Sequence, residues 1–163
     1  DRNMHYLGRE YMYYKRWNDC IDTLIKHLNL KTATWKDERS ASMRYIARSY
    51  IALKRYNEAK MWYQNAIKET PYLKEPYIEL TMLHYNLKEY KEAIKYGKKA
   101  SKINNNNLTY INEIFSKDET LDDILSICYY NIGNKKDGLK HIKKALKINP
   151  NNERIKSNKK FFE

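Results

Sequence analysis

Four stretches of the chain repeat one order of residue types, and that periodicity limits the fold more than any other feature. They are "WNDCIDTLIKHLNLKT" (17–32), "YNEAKMWYQNAIKETP" (56–71), "YKEAIKYGKKASKINN" (90–105) and "KKDGLKHIKKALKINP" (135–150), the first being the most degenerate. Set in register, they share columns. An aromatic opens the segment at Trp17, Tyr56 and Tyr90, with Lys135 the exception. A small residue follows at Cys20, Ala59, Ala93 and Gly138. A second small column holds Ala66, Ala100 and Ala145, where the first segment has His27. Upstream of each segment runs a second set: Leu7, Ile46, Leu80 and Leu125; then Gly8, Ala47, Thr81 and Ser126; then Tyr11, Tyr50, His84 and Tyr129.

Each column has a physical reason. Two antiparallel helices approach closely only where both carry small side chains. Leu and Tyr fill the wedge between one helix pair and the next. Proline cannot continue a helix, so Pro71 and Pro150 close their units. Asp19, Glu58, Glu92 and Asp137 sit where the second helix begins, and Lys68, Lys102 and Lys147 where it ends. Those signs complement the helix dipole.

The columns step by 34 residues from Ala59 to Ala93, by 39 from Cys20 to Ala59, and by 45 from Ala93 to Gly138. The pattern resembles the tetratricopeptide repeat, a helix–turn–helix unit of about 34 residues. The resemblance implies an all-α fold: a right-handed superhelical solenoid of about four helix pairs with a C-terminal capping helix. The pairs are expected at 3–14 and 17–29, 38–53 and 56–69, 74–87 and 90–103, and 119–132 and 135–148, with the cap near 151–162. One domain spans 1–163, with repeats at about 1–34, 40–73, 74–107 and 119–152 and an insertion at 108–118. Gly97 stands where the other segments carry Leu24, Tyr63 and Ile142. The resulting notch is expected to receive Tyr110, Ile111 or Phe115 from the insertion.

Composition narrows the function. Hydrophobic residues reach 42% while mean hydropathy is −0.93, which suits amphipathic helices with charged outer faces. The formal net charge of +12 raises nucleic acid as a partner. The basic residues are dispersed, however, and no aromatic-plus-basic strand platform is present, so nucleic acid is the weakest partner class. Cys20 and Cys128 fall on apolar stripes, which favours buried free thiols and a reducing, cytoplasmic setting. No stretch suits a membrane span. The chain opens at Asp1-Arg2 without an initiator Met, which suggests a piece of a longer protein.

Catalytic chemistry finds no foothold. His5, His27, His84 and His141 have no metal-ligand spacing, and the four glycines are isolated rather than gathered in a phosphate loop. No Asp-x-Asp pair is present. The reading is a non-catalytic chain without cofactor or metal, whose partner is a protein or peptide.

The first helices of a stacked array line its concave groove. The residues expected to meet a ligand there are Arg9, Tyr13, Arg44, Arg48, Glu75, Met82, Tyr85, Asp123 and Tyr130. Arginine forks suit carboxylates, so an acidic segment over Arg9, Arg44 and Arg48 is one reading. The other is that Arg44 and Arg48 pair with Asp37, Glu38 or Glu10 and knit the first two repeats together.

Several stretches go beyond the generic repeat: "YLGREYMYYKRW" (6–17), "TWKDERSASMRYIARSY" (34–50), "KEPYIELTMLHY" (74–85), "TYINEIFSKDETLDDILSICYYNIGN" (109–134) and "NPNNERIKSNKKFF" (149–162). Together they resemble the C-terminal tetratricopeptide region of bacterial family-2 glycosyltransferases. The resemblance implies a sugar-nucleotide catalytic domain in the same protein, upstream of Asp1. No catalytic residue carries over. A free-standing adaptor binding a peptide in its groove is the alternative.

Overall fold

A computed structural model describes residues 1–105 and 108–163. The last two residues of the third expected repeat, 106 and 107, lie outside the described residues. All regular structure among the described residues is helical: α1 (Arg2–Tyr13), α2 (Trp17–Asn29), α3 (Lys36–Ala52), α4 (Tyr56–Glu69), α5 (Glu75–Asn86), α6 (Tyr90–Ser101), α7 (Thr120–Asn131), α8 (Lys135–Ile148) and α9 (Glu153–Lys159). Short 3-10 turns lie at Ile114–Ser116 and Lys160–Phe162. The chain divides into two compact units, Asp1–Pro76 and Tyr77–Glu163, parted inside the first turn of α5.

The helices start and stop for legible reasons. The Asn134 side chain accepts from Asp137 N and the Asn152 side chain from Ile155 N, capping α8 and α9. The turn from first to second helix repeats one device. In α1, Lys15 N donates to Met12 O at 2.9 Å and Arg16 N to Tyr11 O at 2.8 Å. The same pair of bonds recurs at Lys54 and Arg55, at Lys88 and Glu89, and at Gly133 and Asn134. This is the Schellman closure, which needs a left-handed residue at the turn. Glycine supplies it once, at Gly133 with φ 82°, and lysine three times, at Lys15, Lys54 and Lys88 with φ 59°.

In the first unit, α1, α2 and α3 pack on one another and α3 packs on α4. Its core holds Cys20, Leu24, Ile46, Ala47, Ala59, Tyr63 and Ala66. A Cβ on Gly8 would strike Leu24, so the absent side chain sets how near α1 comes to α2. Arg39 ties the first connection down: its Nη1 donates to Leu28 O at 2.8 Å and Ala33 O at 3.2 Å, and its Nε to Glu69 Oε1 at 2.7 Å.

In the second unit, α7 packs against α6 and α8, and α8 is covered by α9 and the final 3-10 turn. Leu80, Ala93, Ala100, Leu125, Cys128, Ile142, Ala145 and Ile155 are buried. The Gly97 notch is filled differently from the expectation. A Cβ there would lie 2.6 Å from Leu125 Cδ2 and 3.3 Å from Thr81 Cγ2. Leu125 of the next first helix therefore takes the space, because its column already points at this position. Of the three insertion residues proposed for the notch, Ile111 is buried, Phe115 is half-buried and Tyr110 is exposed. The insertion folds back by its own turn, Thr109 N donating to Asn112 Oδ1 at 2.5 Å, and its 3-10 turn rests on α7.

Candidate functional site

The nine residues expected in the groove divide between the two units. In the first, Arg9 and Tyr13 lie on α1 and Arg44 and Arg48 on α3, with Glu75 opening α5. Tyr13 is 62% exposed. The Arg9 guanidinium lies over the Tyr6 ring at 5.0 Å and the Tyr13 ring at 5.9 Å, and its Nη2 is 3.6 Å from Glu10 Oε1. Arg9 Nε is buried and has no acceptor. Arg48 lies over the Tyr45 ring at 5.2 Å and is partly exposed.

Arg44 and Glu75 are not on the surface a ligand would meet. Arg44 is 2% exposed, with its guanidinium 5.8 Å from the Tyr45 ring centre, and Glu75 is 3% exposed. Arg44, Arg48 and Glu75 already interact with other groups of the protein. The acids expected to hold the two arginines also have other contacts: Asp37 accepts from the Tyr72 hydroxyl at 2.6 Å, and Glu38 accepts from Arg2 Nε at 3.3 Å.

In the second unit, Asp123 is buried on α7 and takes Arg154 of α9, Nη2 to Oδ2 at 2.5 Å and Nη1 to Oδ1 at 3.3 Å. This carboxylate anchors the cap. Tyr130 packs edge-on against Phe161 and Phe162, with centroids at 6.3 and 5.5 Å. Tyr85 is half-buried beside Tyr90 at 6.5 Å, and burial raises its phenol pKa. Met82 is half-buried on the same helix. The charge expected at this end is thus spent within the fold, and aromatic surface remains.

The structure also gathers a polar cluster that the sequence did not reveal as a group. His5 Nδ1 lies 2.7 Å from Ser42 Oγ, which lies 3.0 Å from His27 Nδ1. His27 Nε2 is 3.4 Å from Glu38 Oε1, without the alignment of a hydrogen bond. A serine, two histidines and a glutamate together suggest nucleophilic catalysis, but His5, His27 and Ser42 are wholly buried, so no substrate can reach the hydroxyl. The cluster is a structural polar core. Ser42 has one hydroxyl hydrogen, so it donates to one imidazole and accepts from the other. A neutral His27 that accepts at Nδ1 turns its Nε2–H toward Glu38, and His5 then donates from Nδ1. Burial drives the His5 pKa down to about 4 against the upward pull of Glu38, and burial lowers that of His27 as well. One signal was available: His27 occupies a column otherwise filled by alanine, and an imidazole there must find partners.

The remaining histidines are paired with acids, His84 Nδ1 at 2.6 Å from Glu89 Oε2 and His141 Nδ1 at 2.7 Å from Asp122 Oδ1. Each also stacks on a tyrosine, Tyr96 and Tyr129 respectively. Among the described residues no cluster of His, Cys, Asp and Glu could hold a metal ion, and no helix is long and apolar enough to cross a membrane. Cys20 and Cys128 are buried free thiols, and burial raises both pKa values.

The tetratricopeptide-repeat family model matches residues 46–72, 75–107 and 124–152, and the chain belongs to that family. The match begins inside α3, so the degenerate first pair is recognised by its structure and its columns. No curated protein matches the chain in sequence. Among solved structures it is similar to "MamA RS-1 ArsTM double mutant", with a TM-score of 0.74, 12% identity and coverage of 99% of this chain and 82% of that one. It is also similar to "MamA MSR-1 C2", with a TM-score of 0.69, 14% identity and coverage of 99% and 86%. A third structure, "Crystal structure of MamA", gives 0.71, 20% identity and coverage of 90% and 76%. At these identities the likeness establishes the all-helical tetratricopeptide fold.

Proposed function

We propose that this chain is a non-catalytic scaffold that holds an acidic peptide segment on the first-helix surface of its N-terminal unit, around Arg9. The observation that carries the reading is the state of that side chain. Its guanidinium is clamped between the rings of Tyr6 and Tyr13, its Nε is buried without an acceptor, and its charged end faces a partly exposed surface. The partly exposed Nη end is where a carboxylate meets the fork, in a charge-assisted contact, while the Nε stays enclosed by the protein. The clamp holds the fork in one orientation, so a ligand would spend little entropy ordering it. Tyr13 adds a flat apolar contact beside it.

The test uses a fluorescein-labelled glutamate-rich peptide and its glutamine counterpart. The acidic peptide should bind, weaken steeply as salt rises, and lose about tenfold or more in affinity on Arg9→Glu, while the circular dichroism of the variant stays helical. Equal binding of both peptides, or a variant that binds as well as the parent, would overturn the reading.

The family and the fold favour a free-standing adaptor over a glycosyltransferase region. The glycosyltransferase context rests on the quoted sequence stretches alone. Reading the coding sequence upstream of Asp1 decides between the two: a sugar-nucleotide domain there supports the transferase, and a start codon removes it.

A further inference from the structure

Lysines that lie dispersed along the sequence of the second unit gather on its surface. The α6 helix carries Lys91, Lys95, Lys98 and Lys99, with Lys102 at its C-cap. The α8 helix carries Lys136, Lys140, Lys143, Lys144 and Lys147. Each α8 lysine stands 45 residues after an α6 lysine, the same step that leads from Ala93 to Gly138, so the two sets fill identical repeat columns. Steps of three and four residues keep side chains on one face of a helix. The opposite face holds the buried columns, Ala93, Gly97 and Ala100 on α6 and Gly138, Ile142 and Ala145 on α8, and every lysine of the two sets is exposed. Both helices pack against α7, so the two stripes flank one element.

Solvation alone does not require this pattern. The same five columns hold Asn18, Asp22, Ile25, Lys26 and Asn29 on α2, and Asn57, Met61, Gln64, Asn65 and Lys68 on α4. Lysines four residues apart repel one another, and Lys91 and Lys136 stand in the first turn, where the helix dipole opposes a cation. The fold does little to offset this. Among the described residues, Lys95 is the one member of the two sets that pairs with an acid, Glu92 at 3.7 Å. Lys95 and Lys99 also lie over the Tyr96 ring at 5.4 and 5.6 Å. Asp137, beside the α8 stripe, accepts from the Asn134 side chain at 2.8 Å.

We propose that the outward faces of α6 and α8 bind the phosphate backbone of a DNA duplex, independently of base sequence. Lysine ammonium groups are point charges on flexible stems, which meet phosphates without fixing their geometry. Phosphate neutralisation supplies essentially all of non-specific duplex binding, because it releases condensed counterions. A bilayer asks for more: stable attachment takes an inserted apolar group besides a basic patch, and the lysine columns of α6 and α8 contain none. Single strands are held by stacking on aromatic rings, and these columns contain no aromatic residue. Arg, Asn and Gln, which read base edges, are missing from them too. This surface belongs to the second unit and the Arg9 clamp to the first, so either reading can fail without the other.

The test follows the fluorescence anisotropy of a short labelled DNA duplex of mixed sequence as the full chain is added at low salt. Binding should saturate, be shared by duplexes of unrelated sequence, and weaken as salt rises, with a log–log slope of about 0.9 for each phosphate neutralised. The combined variant Lys140→Gln, Lys143→Gln, Lys144→Gln and Lys147→Gln should lose about tenfold or more in affinity and show a shallower slope. A matched control, Lys31→Gln, Lys36→Gln, Lys54→Gln and Lys68→Gln in the first unit, removes the same charge and should bind nearly as the parent does. All these side chains are exposed, and an unchanged melting curve verifies that each variant folds. Absence of binding at low salt, or equal losses in the two variants, would overturn the proposal. Tighter binding to phosphatidylserine vesicles than to the duplex would overturn it in favour of a membrane surface. Displacement of the duplex by polyglutamate of equal charge would overturn it in favour of an acidic protein.

Discussion

The face of α1 and the face of α8 stand at opposite ends of the sequence and solve the same problem differently. On α8 the chain covers the face itself: Ile155 is wholly buried with Ile142 and Ala145, Phe162 fills the space beside Gly138, and Arg154 fastens α9 to Asp123. On α1 the corresponding leucine is left in water. The α9 helix carries Lys156 and Lys159 along with Ile155, and the 3-10 turn after it adds Lys160 and Phe162, so the cap buries a few apolar groups and solvates the rest. The α1 helix and its cap carry Leu7, Tyr11 and Tyr14 on one side, with Leu7 and Tyr14 exposed. Covering the α8 face takes only a short helix and the turn after it, with few apolar groups, Ile155 and Phe162.

The contrast can be broken most strongly at the cap. Ile155→Asp places a charge in a fully buried apolar site and should destabilise the second unit by about 4 kcal/mol, read as a lower urea midpoint. An unchanged midpoint would mean that the cap contributes little.

Acid should attack the other end. His5 has a pKa of about 4 in the folded chain against 6.5 when free, so the unfolded chain binds the extra proton first. Stability from this group is complete above pH 6.5 and declines as the pH falls toward 4, by up to about 3 kcal/mol. His27 shifts in the same direction. Melting temperatures measured from pH 7 to 4 should therefore fall, and His5→Asn should flatten the profile. A slope that survives that substitution would place the acid sensitivity elsewhere.

The turns permit a finer comparison between the units. Gly133→Ala should cost about 1 kcal/mol, purely from its left-handed backbone, because no atom lies within 4 Å of the new methyl group. Lys54→Gly, in the equivalent turn, should stabilise by roughly 0.5–1 kcal/mol. The smallest effect is expected at the open face, where Leu7→Glu should change stability by less than about 0.5 kcal/mol. A larger loss there would show that Leu7 already supports the fold.

Periodicity made most of this fold readable. The second helices expected at 17–29, 56–69 and 135–148 are Trp17–Asn29, Tyr56–Glu69 and Lys135–Ile148. The small columns are buried where the second helices pack, with Ala, Cys or Gly at every position but His27, which is buried there too. Side-chain reach is what periodicity does not encode. Arg44 and Arg48 lie one helical turn apart, yet the former is buried and the latter partly exposed. The Gly97 notch was legible as a gap, but its occupant depended on which neighbouring column pointed there. His5, Ser42 and His27 sit on three different helices, and only packing reveals that one hydroxyl serves two imidazoles. For the candidate site, Arg9 and Tyr13 were named from register alone. The unpaired Nε was not, since it depends on how Tyr6 and Tyr13 enclose the fork.

The division at Pro76 gives the molecule an optical asymmetry. Trp17, Trp35 and Trp62 all fall in the first unit, and the second contains no tryptophan. Indole emission therefore reports residues 1–76 alone, while far-ultraviolet dichroism sums both helical units. If the two signals change together on heating, the units melt as one body. If they separate, the dichroism change without a matching emission change is the melting of the second unit, obtained without cutting the chain or attaching a dye.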